Sequence, residues 1–353
     1  MRTLRPLTGK CRSIVNKSGA PVLFLTGGCK VAVAPLRGGA SRHRNVQFVN
    51  AEPAGDDAPQ QVTYETLDEG RIARIWLNRP QAQNAQSRTL LVQLDEAFGR
   101  AEADDQVRVV ILAARGKNFS AGHDLGSEEA LLERKPGPAQ HPTFRSHGAT
   151  VPAVAERTYL QEWHFFFENT RRWRDLRKIT IASVQGNAIS AALMLIWACD
   201  LIVAADDAKF SDVVGVRMGM PGVEYYAHPW EFGPRKAKEL LLTGDSIDAE
   251  EAYHLGMVSK IFARDELEDK TLEFARRIAE RPTMAALLIK DSVNAASDAM
   301  GFTEALRHGF HIHELGHAHW AAHNENRYPI GLPPNVPDWK TLGPPKPARR
   351  DEP

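Results

Sequence analysis

Two glycine-containing turns carry residue types that suit enolate or acyl-transfer chemistry. The first, NFSAGHDL, spans Asn118–Leu125, and the second, VQGNAISAA, spans Val184–Ala192. Each follows an apolar run. Small-residue turns after a strand expose backbone N–H groups, and a helix N-terminus adds its positive dipole end. Two such turns that converge would hold a developing oxyanion between two N–H donors. Tight packing at strand ends is the alternative, and neither turn has a phosphate-binding GxGxxG or GK[ST] pattern.

A second chemical motif lies near the C-terminus, where HELGH at 313–317 has HExxH spacing. On a helix, His313 and His317 share one face, and Glu314 is a candidate general base. His323 stands at the third-ligand position of HExxHxxGxxH, but six residues of unbroken helix rotate it by about 600°. Trp320 replaces the glycine that would turn the chain back, and the surrounding run is rich in histidine. We therefore expect no metal site; adventitious metal binding and a zinc hydrolase are the alternatives.

These motifs need a scaffold, and the hydrophobic pattern predicts one of strands and helices. Asp68-Glu69-Gly70 separates two apolar runs as a hairpin turn, and Ser87 caps a helix with apolar residues at helical spacing. The predicted strands are Val62–Leu67, Ile72–Leu77, Val107–Ala113, Ile179–Val184 and Leu201–Ala204. The predicted later helices are Ser190–Ala198, Pro234–Leu242, Ala249–Leu255, Asp265–Glu280 and Met284–Ala296. Strands that alternate with helices indicate an α/β fold.

Composition divides the chain into four parts. Residues 1–50 contain no acidic residue, and a Pro/Gly/Asp linker, Ala51–Gln60, follows them. We predict that residues 1–60 are a disordered or mis-started extension, with a transit peptide or a functional basic arm as alternatives. Residues 61–260 form the predicted core, with a polar surface insertion at about 127–154. A helical region at 261–326 and a Pro-rich tail at 327–353 complete the chain.

The overall composition excludes several classes of protein. Of the 353 residues, 43% are hydrophobic and 25% charged, which excludes a collagen-like or largely disordered chain. Lys+Arg and Asp+Glu both number 44, so no positive excess favours nucleic acid or an anionic membrane. Three cysteines are too few for a disulfide framework, and polar residues interrupt the apolar stretch Ile179–Ala205. We expect a cytoplasmic protein, or an organellar matrix protein if residues 1–50 are a transit peptide.

Short motifs from about Val62 to Asn326 match one known family in the same order. They are Leu77–Pro80 with Asn84-Ala85, Phe119–Asp124, Ile181–Gly186, Cys199–Leu201, Ala208–Phe210, Pro221-Gly222, Leu242–Gly244, Ala249–Ala252, Gly256–Val258 and Lys290–Asn294. In these segments the sequence resembles the crotonase (enoyl-CoA hydratase/isomerase) superfamily. The resemblance implies a ββα-spiral fold with a C-terminal helical trimerisation region, assembly as a homotrimer or dimer of trimers, and an acyl-CoA thioester substrate. CoA would be part of that substrate, so we expect no separate cofactor.

The resemblance also implies roles for residues of both turns. The two oxyanion N–H groups fall on the backbones of His123 and Ala191, where Ala191 replaces the family's usual glycine. Arg79 is a further candidate partner for the CoA phosphates. The positions implied to bind the substrate are Ala82, Gln83, Ala121, Asp124 and Lys117.

One departure from the family's pattern concerns acid–base catalysis. Hydratases of the family use two glutamates, and the matching positions here are Met194 and Val214, which cannot move a proton. Replacements must come from nearby loops. The candidates are Glu224 and Asp212, followed by Tyr225 and His228, each with an ordinary structural role as the alternative.

These features together predict an acyl-CoA-processing enzyme that is similar to an enoyl-CoA hydratase. We expect it to be a lyase or an isomerase and to act in fatty acid metabolism. It would stabilise a thioester enolate in an oxyanion hole and hydrate crotonyl-CoA only weakly. The alternative from another class is a catalytically silent acyl-CoA binder. Four aromatic residues either line a large acyl pocket or form core: Trp163, Phe165, Phe166 and Phe167.

Overall fold

The described chain begins with a pair of antiparallel strands, β1 (Val62–Leu67) and β2 (Ile72–Leu77). The computed structural model describes residues 60–133, 135 and 151–325. Asp68, Glu69 and Gly70 all adopt positive φ and form the predicted hairpin turn. β1 is an edge strand with one half-exposed face, whereas every residue of β2 is buried, because β2 is covered on both faces.

The remaining elements follow in chain order. They are a 3₁₀ turn (Pro80–Ala82), α1 (Arg88–Ala103), β3 (Val109–Ala114), α2 (Glu128–Glu133), α3 (Val154–Glu162), a π-helical segment (Trp163–Glu168), α4 (Asn169–Arg174), β4 (Ile179–Val184), β5 (Asn187–Ile189), α5 (Ala191–Trp197), β6 (Leu201–Ala205), β7 (Lys209–Ser211), α6 (Val214–Met218), α7 (His228–Thr243), β8 (Ser246–Asp248), α8 (Ala249–Leu255), β9 (Lys260–Phe262), α9 (Leu267–Ala279), α10 (Thr283–Ala299) and α11 (Phe302–His323).

Two sheets organise these elements into an α/β fold with a helical C-terminal region. The larger has the order β1-β2-β3-β4-β6-β9 and is parallel from β2 onward; the smaller has the order β5-β7-β8. Parallel strands end at the same edge of a sheet, so the turns that follow β3 and β4 are brought together. A bridge between Ser120 and Ala188 joins them directly. The sheet order thus positions both chemically interesting turns.

The helix boundaries follow local sequence signals in most places. The Ser87 hydroxyl accepts a hydrogen bond from the N–H of Leu90 and caps α1, and Gly256 ends α8 with positive φ. The prediction for α7 was wrong at its start, which lies at His228 rather than Pro234. Gly233 has non-helical dihedrals (φ 72°, ψ 157°), so a short helical piece precedes the kink and the predicted helix follows it.

A long helical unit, residues 154–174, packs through α3 against α11. This unit begins at the end of the predicted insertion, and α2 occupies the insertion's start. Residues 136–150 of the insertion, the predicted extension up to residue 59 and the tail after residue 325 lie outside the described residues. None of the helices in the described part of the chain is long and apolar enough to span a membrane.

Candidate active site

The two glycine-containing turns lie in direct contact. The N–H of Ser120 donates to the carbonyl of Asn187 (3.2 Å), and the N–H of Ile189 donates back to the carbonyl of Ser120 (3.0 Å). Gly122 has φ +86°, and a Cβ added there would lie 2.7 Å from the Ile189 carbonyl oxygen and 3.2 Å from the Ala191 nitrogen. Only glycine satisfies both the backbone angle and the contact.

Two backbone N–H groups at this contact have no acceptor among the described residues. Within residues 60–133, 135 and 151–325, neither the N–H of His123 nor that of Ala191 donates a hydrogen bond to the protein. Ala191 is the first residue of α5, where N–H groups have no intrahelical acceptor. Ser190 precedes it with a positive φ of 49°, which turns the chain sharply into the helix. The geometry therefore offers two donors on adjoining turns.

The His123 side chain is held between an aromatic ring and a carboxylate. Its imidazole stacks on Phe166, with ring centroids 3.6 Å apart and planes 19° apart. Its Nε2 lies 3.2 Å from Oε2 of Glu224, which is only 4% exposed. Phe166 belongs to the π-helical segment, so the aromatic run predicted as pocket or core contributes a ring to this site.

Beyond Glu224 lies a buried cluster of histidines and glutamates. Oε1 of Glu224 is 3.6 Å from Nε2 of His313, and the Nε2 atoms of His313 and His317 are 3.0 Å apart. Oε2 of Glu162, at the end of α3, lies 3.4 Å from Nε2 of His313 and 3.3 Å from that of His317. Glu314 is buried beside them. The HELGH helix thus places its histidines against Glu162 and Glu224.

Burial and close charges shift several pKa values in this cluster. Burial alone would lower the pKa of His313, but the Glu224 and Glu162 carboxylates raise it to about 9. Burial also opposes ionisation of Glu162, yet the two imidazoles hold its pKa well below the usual value. Burial, followed by the nearby Glu162 carboxylate, raises the pKa of Glu314 to about 11. Burial thus favours the neutral form of Glu314, whereas the close opposite charges favour the ionised forms of Glu162 and His313.

A small cavity adjoins this group at Glu162 and His123. It has a volume of about 50 Å³, and its lining includes His123, Glu162, Arg157, Gln161 and Phe166. The lining is therefore mixed, with an aromatic wall and titratable groups at its end.

Comparison with known proteins establishes the family. Residues 68–319 match the enoyl-CoA hydratase/isomerase family. The chain belongs to that family. EchA13 of Mycobacterium tuberculosis, named as an enoyl-CoA hydratase, is 59% identical over 293 residues, which cover 83% of this chain and 92% of that protein. A 4-chlorobenzoyl coenzyme A dehalogenase-2 from an Arthrobacter species is 31% identical over 253 residues, which cover 71% of this chain and 84% of that protein.

Solved structures agree with the assignment of the fold. A crystal structure from Mycobacterium smegmatis, described as an enoyl-CoA hydratase, has a TM-score of 0.66 and 43% sequence identity. The match covers 77% of this chain and 99% of that one. The family and the crotonase fold predicted from the ordered motifs are therefore confirmed.

Within this fold, the predicted acid–base candidates lie in different surroundings. Asp212 is buried, and its carboxylate accepts hydrogen bonds from the N–H groups of Val214 (3.0 Å) and Val223 (2.9 Å) and pairs with Nε2 of His228 (2.9 Å). Burial would raise the pKa of Asp212, but the His228 contact and these N–H donors lower it. Its contact with the Val223 N–H holds the turn that carries Glu224, whereas Glu224 itself faces His123.

Three other positions named from the sequence lie in buried or helical surroundings. Met194 is buried within α5, and Val214 begins α6. Tyr225 is fully buried, and burial raises the pKa of its hydroxyl.

The predicted substrate-binding positions form one surface with two exceptions. Ala82 and Gln83 adjoin Ala121, whose N–H donates to the Gln83 carbonyl (2.9 Å). Asp124 instead forms a largely buried ion pair with Arg79 (2.6 Å) and accepts hydrogen bonds from the following turn. Lys117 is exposed, and its carbonyl accepts a hydrogen bond from Arg264 (3.1 Å). The roles implied for these five residues stay predictions.

Sequence reasoning missed two residues that build the site. The Asn84 amide donates to the carbonyls of Arg115 (2.9 Å), Asn118 (3.1 Å) and Phe119 (3.1 Å), and so fixes the chain leading into the first turn. Glu162 was missed because no local motif surrounds it. Its one sequence signal is a carboxylate placed directly before an apolar aromatic run, where a charge needs a buried partner.

Proposed function

We propose that this family member acts on an acyl-CoA thioester and stabilises the negative charge that develops on the thioester oxygen. The N–H groups of His123 and Ala191 are the proposed donors. The observation that carries the proposal is the contact of Gly122 with Ile189 and Ala191, beside two backbone donors that have no acceptor within the described chain. Donors of this kind, fixed before the reaction, give a large part of the rate enhancement in acyl chemistry.

Glu224 is the proposed acid–base group for the carbon next to the thioester. It is a buried carboxylate, it reaches His123 within 3.2 Å, and the turn that carries it is anchored by Asp212 through the Val223 N–H. Asp212 would be a positioning residue. Because Met194 and Val214 occupy the positions implied for the hydratase glutamates, ordinary crotonyl-CoA hydration would be slow, by roughly 10⁴-fold or more.

The proposal also concerns which acyl groups the enzyme accepts. Relatives are named as hydratases of enoyl-CoA and as a dehalogenase of 4-chlorobenzoyl coenzyme A, so both chain and ring acyl groups belong among the substrates to test. Phe166 at the cavity wall supports a flat, apolar acyl group. We propose a lyase or isomerase reaction in the cytoplasm.

Assembly as a homotrimer or dimer of trimers is supported by the surface of α10. Within the described chain, this helix exposes a run of large apolar side chains, and such a patch is typical of an interface. The residues are Met284, Leu288, Ile289 and Val293.

The test uses acetoacetyl-CoA and an acyl-CoA panel. The enolate of acetoacetyl-CoA absorbs in the near ultraviolet, so titration of the protein at fixed pH measures enolate stabilisation without requiring turnover. We expect an enolate signal, turnover of at least one enoyl-CoA or ring-acyl-CoA ester, and slow crotonyl-CoA hydration. Binding of CoA esters without an enolate signal or turnover would identify a silent binder instead. Crotonyl-CoA hydration at the rate of an ordinary hydratase would refute the assigned loss of the glutamate pair.

A further inference from the structure

The buried Glu162–His313–His317 cluster is arranged like the ligands of a metal ion. One atom from each side chain can be chosen so that all three lie within 4.8 Å of one another, and all three side chains are buried. His313 and His317 are one helical turn apart on α11, and Glu162 comes from the facing helix α3. From the sequence we expected no metal site, because only His323 was considered as the third ligand. His323 is exposed at the end of the unbroken α11, and Glu162 stands at the third position in space.

The distances in the cluster agree with a tetrahedral site. Zinc–ligand bonds of about 2.0–2.1 Å place neighbouring ligand atoms about 3.3–3.4 Å apart. The three edges observed here are 3.0 Å between the histidine Nε2 atoms and 3.3 and 3.4 Å from these to Oε2 of Glu162. Oε1 of Glu224 lies 3.6 Å from Nε2 of His313, at the border of the cluster. The three ligand atoms therefore already form one face of a tetrahedron.

The surroundings orient the ligands as metal sites require. Nδ1 of His313 donates to the carbonyl of Gly222 (2.6 Å), so Nε2 is the nitrogen that faces the cluster and that a metal would bind after displacing its proton. A cation at the centre of the three close contacts would be bound by all three side chains at once. A dication would also neutralise the buried carboxylates of Glu162 and Glu224, and buried charge is costly without such compensation. The small cavity described above is lined in part by Glu162, so one of the three ligands borders open space.

We propose that Glu162, His313 and His317 bind a divalent transition-metal ion, with zinc the best match to a tetrahedral nitrogen and oxygen donor set. The ion would link α3, α11 and the turn that carries Glu224. The test of this site is independent of the proposed acyl-CoA chemistry, because metal occupancy is measured without turnover.

Metal content of the full-length chain tests the proposal. The protein is purified without a polyhistidine tag from zinc-supplemented medium and analysed by plasma mass spectrometry after gel filtration. We expect about one zinc per chain. In chelator-stripped protein, Co²⁺ should give the visible absorption of a tetrahedral complex. Zinc at about 100 times Kd should raise Tm by about 5–10 °C.

Variants on the same helix identify the ligands. His317→Ala and Glu162→Ala should lose the bound zinc and the cobalt absorption. His319→Ala and His323→Ala are matched controls, because both histidines are exposed on α11, and these variants should retain the metal. If a ligand variant does not fold, the Co²⁺ titration of the stripped wild type decides. The proposal is overturned if the wild type binds no zinc or tetrahedral cobalt. It is also overturned if zinc survives both ligand substitutions, or if the control variants lose it as an adventitious surface site would.

Discussion

Substitution of Gly122 by alanine probes the contact on which the proposed oxyanion site depends. The added Cβ would lie 2.7 Å from the Ile189 carbonyl oxygen, and Gly122 already has φ +86°. Carbon–oxygen contacts are normally about 3.3 Å or longer, so the two turns must separate by roughly 0.6 Å. The substitution therefore moves the His123 turn away from the Ala191 turn without changing any side chain that could titrate.

We expect Gly122→Ala to lower the activity much more than the stability of the fold. A non-glycine residue in the left-handed region costs about 1–2 kcal/mol. For a domain of this size that cost lowers Tm by about 2–8 °C. An oxyanion donor acts at about 2.7–3.1 Å, so a displacement of roughly 0.6 Å removes most of its effect, and loss of one donor costs about 10²–10³ in rate. We expect a folded protein with a much larger loss of activity than of stability.

The acetoacetyl-CoA enolate signal and steady-state turnover, both recorded well below the variant's Tm, measure this loss. Gly126→Ala is the matched control, because Gly126 lies in the same loop, has no positive φ, and has no atom within 4 Å of an added Cβ. It should behave as the wild type does. A Gly122→Ala protein that keeps the enolate signal and the rate of the wild type would refute the assignment of these two turns as the donor pair.

Three further predictions concern individual contacts. His123→Ala should keep binding of CoA esters and most turnover, whereas His123→Pro, which lacks the N–H, should lose about 10²–10³ in rate; equal inactivation by both would assign the role to the imidazole. Asn84→Ala should lower the free energy of unfolding by at least about 2 kcal/mol in denaturant titration, whereas Asn78→Ala, which loses only an exposed hydrogen bond, should be near neutral. Asp212→Asn should cost about 1.5–3 kcal/mol at pH 7. Because the folded pKa of Asp212 is lowered, the difference from the wild type should shrink as the pH falls below about 4, and a difference that grows in acid would contradict the pairing with His228.

The sequence predicted elements well where local signals decide them. The β1–β2 hairpin, the Ser87 cap of α1 and the Gly256 end of α8 follow from turn and capping residues a few positions away. The start of α7 was missed because Pro234 resembles a helix start. The kink is absorbed by the φ of Gly233, which a sequence pattern does not reveal.

The candidate site was predictable only in part, for a related reason. HExxH spacing predicted that His313 and His317 share a face of a helix, and both are buried on the same face of α11. That Glu162 meets them depends on how α3 packs on α11, which is a tertiary contact between segments far apart in the chain. Glu224 was a candidate from its position, but its contact with His123 likewise required the fold.

Glu224 is where the two proposals meet. One carboxylate oxygen lies 3.2 Å from Nε2 of His123 and the other 3.6 Å from Nε2 of His313, and the turn behind it is fixed through Asp212. A carboxylate held at both oxygens and at its backbone has few orientations left, and proton transfer requires an acid–base group fixed within hydrogen-bonding reach of the reacting atom. Under the proposed function, a site whose Met194 and Val214 cannot titrate obtains its acid–base group from a different turn. The helix that carries the HELGH motif then keeps that group in place, whether the buried cluster holds a proton or a metal ion.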